Sequence, residues 1–489
     1  MKRKAAKFIC LTVVLTSCLL GISGCTTVGP DYKPPQTATS TNWTSELQGG
    51  LTGNAADTNL LDRWWTVFND PVLSDLVERA RAGNLDIRQS EARVREARAQ
   101  RGIAKAPLFP AVGANASASR TTTSKEAGNG QTADFYTTSL DASWELDIFG
   151  GTRRSLESAT ASWQASQESL RDVQVSLLAE VALNYVEVRS YQELLSITES
   201  NALIRVETYD ITRWRREAGL TTQLDEDQAK QSLEQVRAQL PTLRTSLAQA
   251  KYRLAVLLGQ PPGALHDLLA EQQPVPSTPV EVAVGVPADL LRRRPDVRTA
   301  ERQLAAQTAQ IGVAKAQLYP NFSLTGTLGL ESLEYANLYS ASARAAQGLA
   351  KAAWTLFDGG SIRQNIKLQT AKQEESLSYY ENTVLNALKD VESALVAYAN
   401  EQMRRDSLAA AVTAGRSAFE LARFQYNSGL VSFQTVLDTQ QSLLSTRDQL
   451  AVSQAKVTSN LIGLYKALGG GWTPSNAAPV AAKQTASSK

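Results

Sequence analysis

Ile103-Ala104-Lys105-Ala106-Pro107-Leu108-Phe109-Pro110 returns 210 residues later as Val313-Ala314-Lys315-Ala316-Gln317-Leu318-Tyr319-Pro320. The offset extends in both directions. Asp86-Ile87-Arg88 aligns with Asp296-Val297-Arg298, Trp144 with Trp354, Gly219-Leu220 with Gly429-Leu430, and Leu258-Gly259 with Leu468-Gly469. Gly150-Gly151 matches Gly359-Gly360 at 209, a one-residue slip recovered before Gly219. Solenoid repeats run about 20–50 residues. So long a period marks a duplicated half-protein, and duplicated halves suit an arrangement around an axis.

Each half shows the same order of elements. Asp70-Pro71 is a cap followed by proline at the first helical position. A helical pattern runs on to Ala106, with a break near Gly83-Asn84, and Pro107 and Pro110 stop it. Residues 111–120 then alternate Val112, Ala114, Ala116 and Ala118 with Asn115, Ser117 and Ser119. Residues 135–146 set Tyr136, Leu140, Ala142, Trp144 and Leu146 against Ser139, Asp141 and Ser143. Period 2 in two successive runs predicts a hairpin over about 111–146. The second half sets Phe322, Leu324 and Leu328 against Ser323, Thr325 and Thr327, and its return strand, about 345–356, is expected to end at Trp354.

After each hairpin, residues 152–218 and 361–428 contain no Pro and a single Gly, Gly415, and are dense in good helix formers. Each predicts a helix of about 100 Å. Gly219 and Gly429 reverse the chain, since glycine takes φ > 0 without strain, and helices return over 222–258 and 431–467. The helices before the hairpins (85–106 and 295–317), about 33 Å each, stacked on returning helices of about 55 Å, nearly match the long ones. Leu170, Val173, Leu177, Val181, Tyr185 and Val188 recur at a spacing of 3.6, which favours a straight helix over a tight supercoil.

The first residues read as an address. Lys2, Arg3, Lys4 and Lys7 precede an apolar stretch, Phe8–Leu20, that is shorter than the roughly 20 residues needed to cross a bilayer. Ile22-Ser23-Gly24-Cys25 resembles the bacterial lipoprotein processing site, which implies cleavage before Cys25 and its acylation. Thr26, rather than Asp, implies sorting to the outer membrane. An ordinary signal peptide with a chance cysteine is the alternative. Removing residues 1–24 takes four basic and no acidic residues from the 50 and 48 of the full chain, leaving a net charge of about −2 and no general attraction for nucleic acid. Cys25, His266 and Met403 are then alone of their kinds. That excludes a disulfide framework, a Cys/His zinc site and a thioether ladder for soft metals, and no cofactor is expected. His266 reads as a solvated residue of a Pro-rich linker. The expected organisation is a signal peptide (1–24), a lipidated tether (25–62), a first repeat (63–260), a linker (261–284), a second repeat (285–470) and a polar tail (471–489).

Four strands are too few. A transmembrane barrel must close to satisfy its backbone, and known ones start at about eight strands. Two copies would supply eight and three would supply twelve. Eight are filled by side chains, whereas a wider barrel holds water, which suits the polar row Asn115, Ser117, Ser139, Asp141, Ser323 and Thr325. A soluble sandwich carrying coiled-coil arms is the alternative on pattern alone.

Three stretches carry a resemblance: Val28-Gly29-Pro30-Asp31-Tyr32-Lys33-Pro34-Pro35; Trp64-Trp65 with Phe68 and Asp70-Pro71; and the long block from Val286 through Arg293-Arg294-Pro295-Asp296-Val297-Arg298 to Pro320. Together they resemble the outer-membrane factors of resistance-nodulation-division tripartite efflux systems, in their lipoprotein branch, related to the TolC channel. The resemblance implies a mixed, TolC-like fold: a homotrimer with a twelve-stranded outer-membrane β-barrel, four strands per chain, continued by a long α-helical periplasmic barrel. It implies a periplasmic membrane-fusion adaptor and an inner-membrane pump as partners, outer-membrane lipid around the barrel, passive exit of small molecules, and no enzymatic chemistry. Val436-Leu437-Asp438 resembles the family's constriction segment, so that Asp438 would form a ring of three carboxylates favouring cations. A second family aspartate is Thr435 here. Arg423 is a candidate tie between helices, with Asp225, Glu226 and Asp227 as partners; a solvated helix face is the alternative for all these charges. Gly219 and Gly429 would lie at the adaptor end. Trp144 and Trp354 fit an aromatic belt at the membrane interface, or else core packing, and Lys105 and Lys315 precede the strands at the same level. A type I secretion duct and a non-conducting periplasmic scaffold are the competing functions.

Overall fold

A computed structural model describes residues 27–35, 42–54, 57–287 and 293–473; the signal segment, Cys25 and nearly all of the tail lie outside the described residues. The chain divides into two compact units, one built on 92–167 and 299–381, the other on 168–298 with flanking segments 42–91 and 382–473.

The first unit holds a four-stranded antiparallel sheet of β2 (Ala111–Thr122), β3 (Thr132–Leu146), β5 (Asn321–Ser332) and β6 (Arg344–Ala353), in that spatial order; β1 (Leu51–Thr52) and β4 (Val282–Ala283) belong to the other unit. The register pairs Ala111 with Ser143, Asp141 with Thr327 and Asn321 with Ala353. Directly opposed residues share a face, so every odd-numbered side chain falls on one side and every even-numbered one on the other. The last strand is shorter than expected. It ends at Ala353, and Trp354 leaves the sheet to donate its indole N–H to the Leu318 carbonyl at 3.0 Å. Continuing the register would set Trp354 against Pro320, which has no N–H to offer a ladder. Trp144, by contrast, lies within β3, opposite Leu324.

The segment expected to be a tether is stitched to this unit by specific bonds. Val28 N–H donates to Phe149 O at 3.1 Å, and the buried Arg154 donates to Val28 O, Asp31 and Glu157. Gly29 lies so close to Gly312 that a Cβ there would sit 2.4 Å from the Gly312 Cα. Only hydrogen on both residues permits that approach.

The second unit is helical. Its elements include α1 (Pro71–Gly83), part of α2 (Leu85–Lys105), most of the long helix α3 (Gly151–Glu217), α4 (Gln223–Leu257), the start of α5 (Pro295–Ala316), most of the second long helix α6 (Ser361–Asn427), and α7 (Phe433–Ala467). Trp64, Trp65, Phe68, Leu177, Val181, Tyr185, Val188 and Tyr465 are buried together, with Trp64 stacked on Tyr465 at 5.7 Å. Asp70 caps α1 by accepting from Leu73 N–H, and its other oxygen accepts from Tyr185 at 2.7 Å. Arg189 donates to the Tyr185 hydroxyl, to Gln192 and to Glu271 O, so that a polar chain ties the α1 cap to α3 and the 261–284 stretch. That stretch is packed: Leu265 and Leu269 are buried, and β4 (Val282–Ala283) pairs in parallel with β1 (Leu51–Thr52), while His266 stays exposed.

The two returning helices end in matching joints. Gly259 and Gly469 both adopt φ near +70°, and Asn84 donates to Leu257 O at 2.8 Å just as Arg294 donates to Ala467 O at 3.2 Å. Arg294 is in turn held by a bidentate contact to Asp296 and by Asp390.

Glu392 on α6 fastens the 42–50 segment, accepting from Thr44 N–H at 2.6 Å, Ser45 N–H at 3.0 Å and the Ser45 hydroxyl at 2.5 Å. Partial burial raises its pKa, but the Ser45 and Thr44 bonds outweigh this and hold it below the ordinary glutamate value. The bound carboxylate therefore stabilises fully above the unfolded-state pKa of about 4.3, and that contribution disappears as pH falls through the lower folded value. Glu392→Gln is expected to lower thermal stability at neutral pH and to flatten its acid dependence, measured as melting temperature against pH in detergent. An unchanged pH profile would count against the clamp.

Candidate channel wall and gate

The odd-numbered face of the sheet is a polar network centred on Asp141. Asn115 donates to one carboxylate oxygen at 2.5 Å, Ser139 to the same oxygen at 3.0 Å, and Thr327 to the other at 2.7 Å, so β2, β3 and β5 converge on one charge. Ser117 and Thr137 share a hydrogen bond at 2.8 Å on the same face. The even-numbered face presents Leu140, Ala142, Trp144, Leu146, Phe322, Leu324, Leu328 and Leu330, and its first charged pair, Arg120 with Asp134, lies toward the β2–β3 loop. One face suits water and the other hydrocarbon.

Trp354 is 58% exposed, and the neighbouring Leu356 and Phe357 are 80% and 89% exposed. These two were missed by reasoning from periodicity because they follow the last strand. The run Trp354-Thr355-Leu356-Phe357 was itself a legible signal, an aromatic and aliphatic cluster between a strand and a Gly-Gly turn.

At the other candidate positions, Gly219 and Gly429 sit at φ +72° and +73°. Gly219 N–H donates to Arg216 O and Leu220 N–H to Arg215 O; Gly429 and Leu430 repeat the pattern with Tyr426 and Gln425. Each is a Schellman cap, closing the last carbonyls of α3 and α6. Asp438 and Thr435, three residues apart near the start of α7, are exposed on one side of that helix, with Val436 buried and Leu437 half-buried. Asp438 accepts from Gln434 at 2.7 Å.

The expected tie from Arg423 to the 225–227 carboxylates is not the one formed. Arg216 pairs with Glu226, Thr221 and Thr222 donate to Asp225, and Gln223 donates to Asp227. These partners are close in sequence around the Gly219 turn, so the contacts form at little entropic cost, while Arg423 is exposed. Arg205 is a feature the sequence did not flag. It is 3% exposed and donates to Gln441 at 2.7 Å, with no ion pair among the described residues, and burial lowers its pKa. Among the described residues no acidic, His or Cys cluster is placed to hold a metal ion.

A sheet with a wet face and a greasy face, joined in sequence to helices of this length, defines an outer-membrane channel protein. The model of the outer membrane efflux protein family matches residues 76–260 and again 286–470, and the chain belongs to that family. It is 33% identical to nodulation protein T of Rhizobium leguminosarum bv. trifolii over 93% of this chain and 96% of that one. It is 30% identical to the probable efflux pump outer membrane protein TtgC of Pseudomonas putida, over 94% and 95%. The solved outer-membrane channel OprN superposes with a TM-score of 0.86 at 35% identity, covering 91% of this chain and all of that one. The protein is an outer-membrane efflux channel.

Gly429→Ala is expected to cost about 1–2 kcal/mol, because a Cβ in the left-handed region meets its own carbonyl, with no neighbour to clash with. Thermal or denaturant unfolding would register the loss. Gly429→Asn should recover part of it, since Asn tolerates that conformation better.

Proposed function

We propose that three copies pool their sheets into a twelve-stranded barrel across the outer membrane, its odd-numbered polar face toward a wet lumen and its even-numbered face toward lipid. One observation carries the reading: a four-stranded sheet with two chemically opposite faces and two open edges, on a chain of this family. Edges in hydrocarbon need partners, four strands fall short of the roughly eight that close a barrel, and a wider barrel leaves room for water.

In this reading the two repeats, 63–260 and 285–470, flank the 261–284 linker, and each supplies one hairpin and one long helical pair to a periplasmic barrel. Cys25, acylated after residues 1–24 are removed, anchors the chain to lipid, and Trp144, Trp354 and Phe357 form the aromatic belt at the membrane interface. Asp438, Leu437 and Thr435 line the narrowed periplasmic mouth, with Arg423 close by. Gly219 and Gly429 turn the helices where a membrane-fusion adaptor docks, bridging to a resistance-nodulation-division pump. Drugs or other toxic small molecules pass outward without chemical change.

Planar-bilayer recording tests the duct. Discrete conductance steps are expected, with cation preference. Asp438→Asn should move the reversal potential in a salt gradient toward zero, because a ring of carboxylates is lost. A protein that conducts nothing would be a scaffold instead. Deleting the gene should sensitise cells to small toxic compounds and leave secreted proteins unchanged; the opposite pattern would indicate a type I secretion duct.

A further inference from the structure

The helical unit holds a cavity of about 260 Å³ whose wall includes Asp62, Arg63, Arg81, Arg171, Gln174 and Trp472. Four parts of the chain meet there: the turn before Trp64-Trp65, the last turn of α1, α3, and the segment that follows α7. Backbone bonds set that last segment in place. Gly471 N–H donates to Leu61 O at 2.9 Å, and the buried Arg293 donates to the carbonyls of Gly469 and Trp472, each at 3.2 Å. Arg293 also pairs with Asp62, so the one carboxylate of the wall is already matched.

The other charges of the wall are guanidiniums. Arg171 and Arg298 lie over the Trp472 ring, 4.8 and 5.4 Å from its centroid, and Glu168 accepts from both. Arg81 makes only a long, exposed contact of 3.4 Å with Glu78, and Arg63 has no partner among the described residues. Trp472 is 5% exposed, yet its indole N–H also has no hydrogen-bond partner among the described residues. A buried donor left unmatched is costly, and folded chains rarely keep one. Unspent positive charge and an unmatched donor around one cavity call for the same kind of group. We propose that this cavity binds a small oxyanion, a phosphate or a carboxylate, between Arg63, Arg81 and Arg171, with the Trp472 N–H as a further donor. Guanidinium forks match the paired oxygens of either group, and such charge-assisted bonds are the strong ones. Pockets for drug-sized ligands run about 300–1,000 Å³, so this smaller one suits an ion with some of its water. The bound ion fastens the end of α1 to α3 and to the segment beyond α7, independently of the channel reading above.

Calorimetric titration of the full chain in detergent tests the site, with sodium phosphate and separately sodium acetate, against sodium chloride at matched ionic strength. Saturable binding of phosphate or acetate is expected, with a rise in melting temperature that chloride does not give; the tighter of the two identifies the group the site takes. Arg63→Gln, at an exposed position, should weaken binding about tenfold or more, as the loss of a hydrogen bond to a charged group does, and Arg81→Gln is a second such variant. Trp472→Phe keeps the ring and removes the N–H, for a loss of about two- to tenfold. No saturable binding and no melting shift with either anion would overturn the site, and so would equal binding by the wild type and both arginine variants. Dissociation of the oligomer in those variants would assign the arginines to a neighbouring copy and overturn it as well.

Discussion

Backbone amides and carbonyls facing hydrocarbon have no water to bond, and in the proposed barrel this constraint governs the sheet unit. Within one copy the inner ladders of β3 and β5 are complete, but the outer sides of β2 and β6 are not. The side chains reinforce the demand. A soluble edge strand is commonly blunted by charge or proline, yet β2 from Ala111 to Ser119 carries neither. Its only charged residue, Arg120, lies near the β2–β3 loop and is paired with Asp134. An edge so bare is tolerable in a membrane protein only if it is covered.

The helical unit answers a different problem, that of holding long, weakly amphipathic helices in place. Large aromatics do so where helices of both halves meet, with Trp64 against Tyr465 and Tyr185 tied to Asp70 and Arg189. Small residues do the same work in the sheet unit, where Ala161, Ala305 and Ala306 are buried together and Gly29 meets Gly312. Close backbone approach and bulky interdigitation are alternative routes to dense packing. The helical unit adds a close approach of its own where Gly83 meets Gly259.

Much of this was legible beforehand. Strand faces, long helices and glycine turns follow from periodicity and from the conformational freedom of single residues, and these are local properties. The bounds at Gly219 and Gly429, and the alternation from Ala111 to Leu146, stand as read. What escaped was long-range. Pro320 truncating β6, Glu392 capturing Thr44 and Ser45, and Arg216 rather than Arg423 meeting Glu226 all depend on which residues the fold brings together. The segment before residue 54 looked like a linker because its composition is polar; its hydrogen bonds with α3 and α6 have no signature in composition. The buried Arg205 was hidden for the same reason, since a lone arginine on a charged helix reads as solvated.

Asn84 and Arg294 occupy corresponding places and grip corresponding carbonyls, one with a neutral amide and the other with a guanidinium embedded among Asp296 and Asp390. Dissolved ions weaken attractions between charges and scarcely touch an amide. But Arg294 is largely withdrawn from water, where salt screens little, so loss of the cation at one joint would take the arginine away from two carboxylates, while loss of the amide at the other would strand no charge.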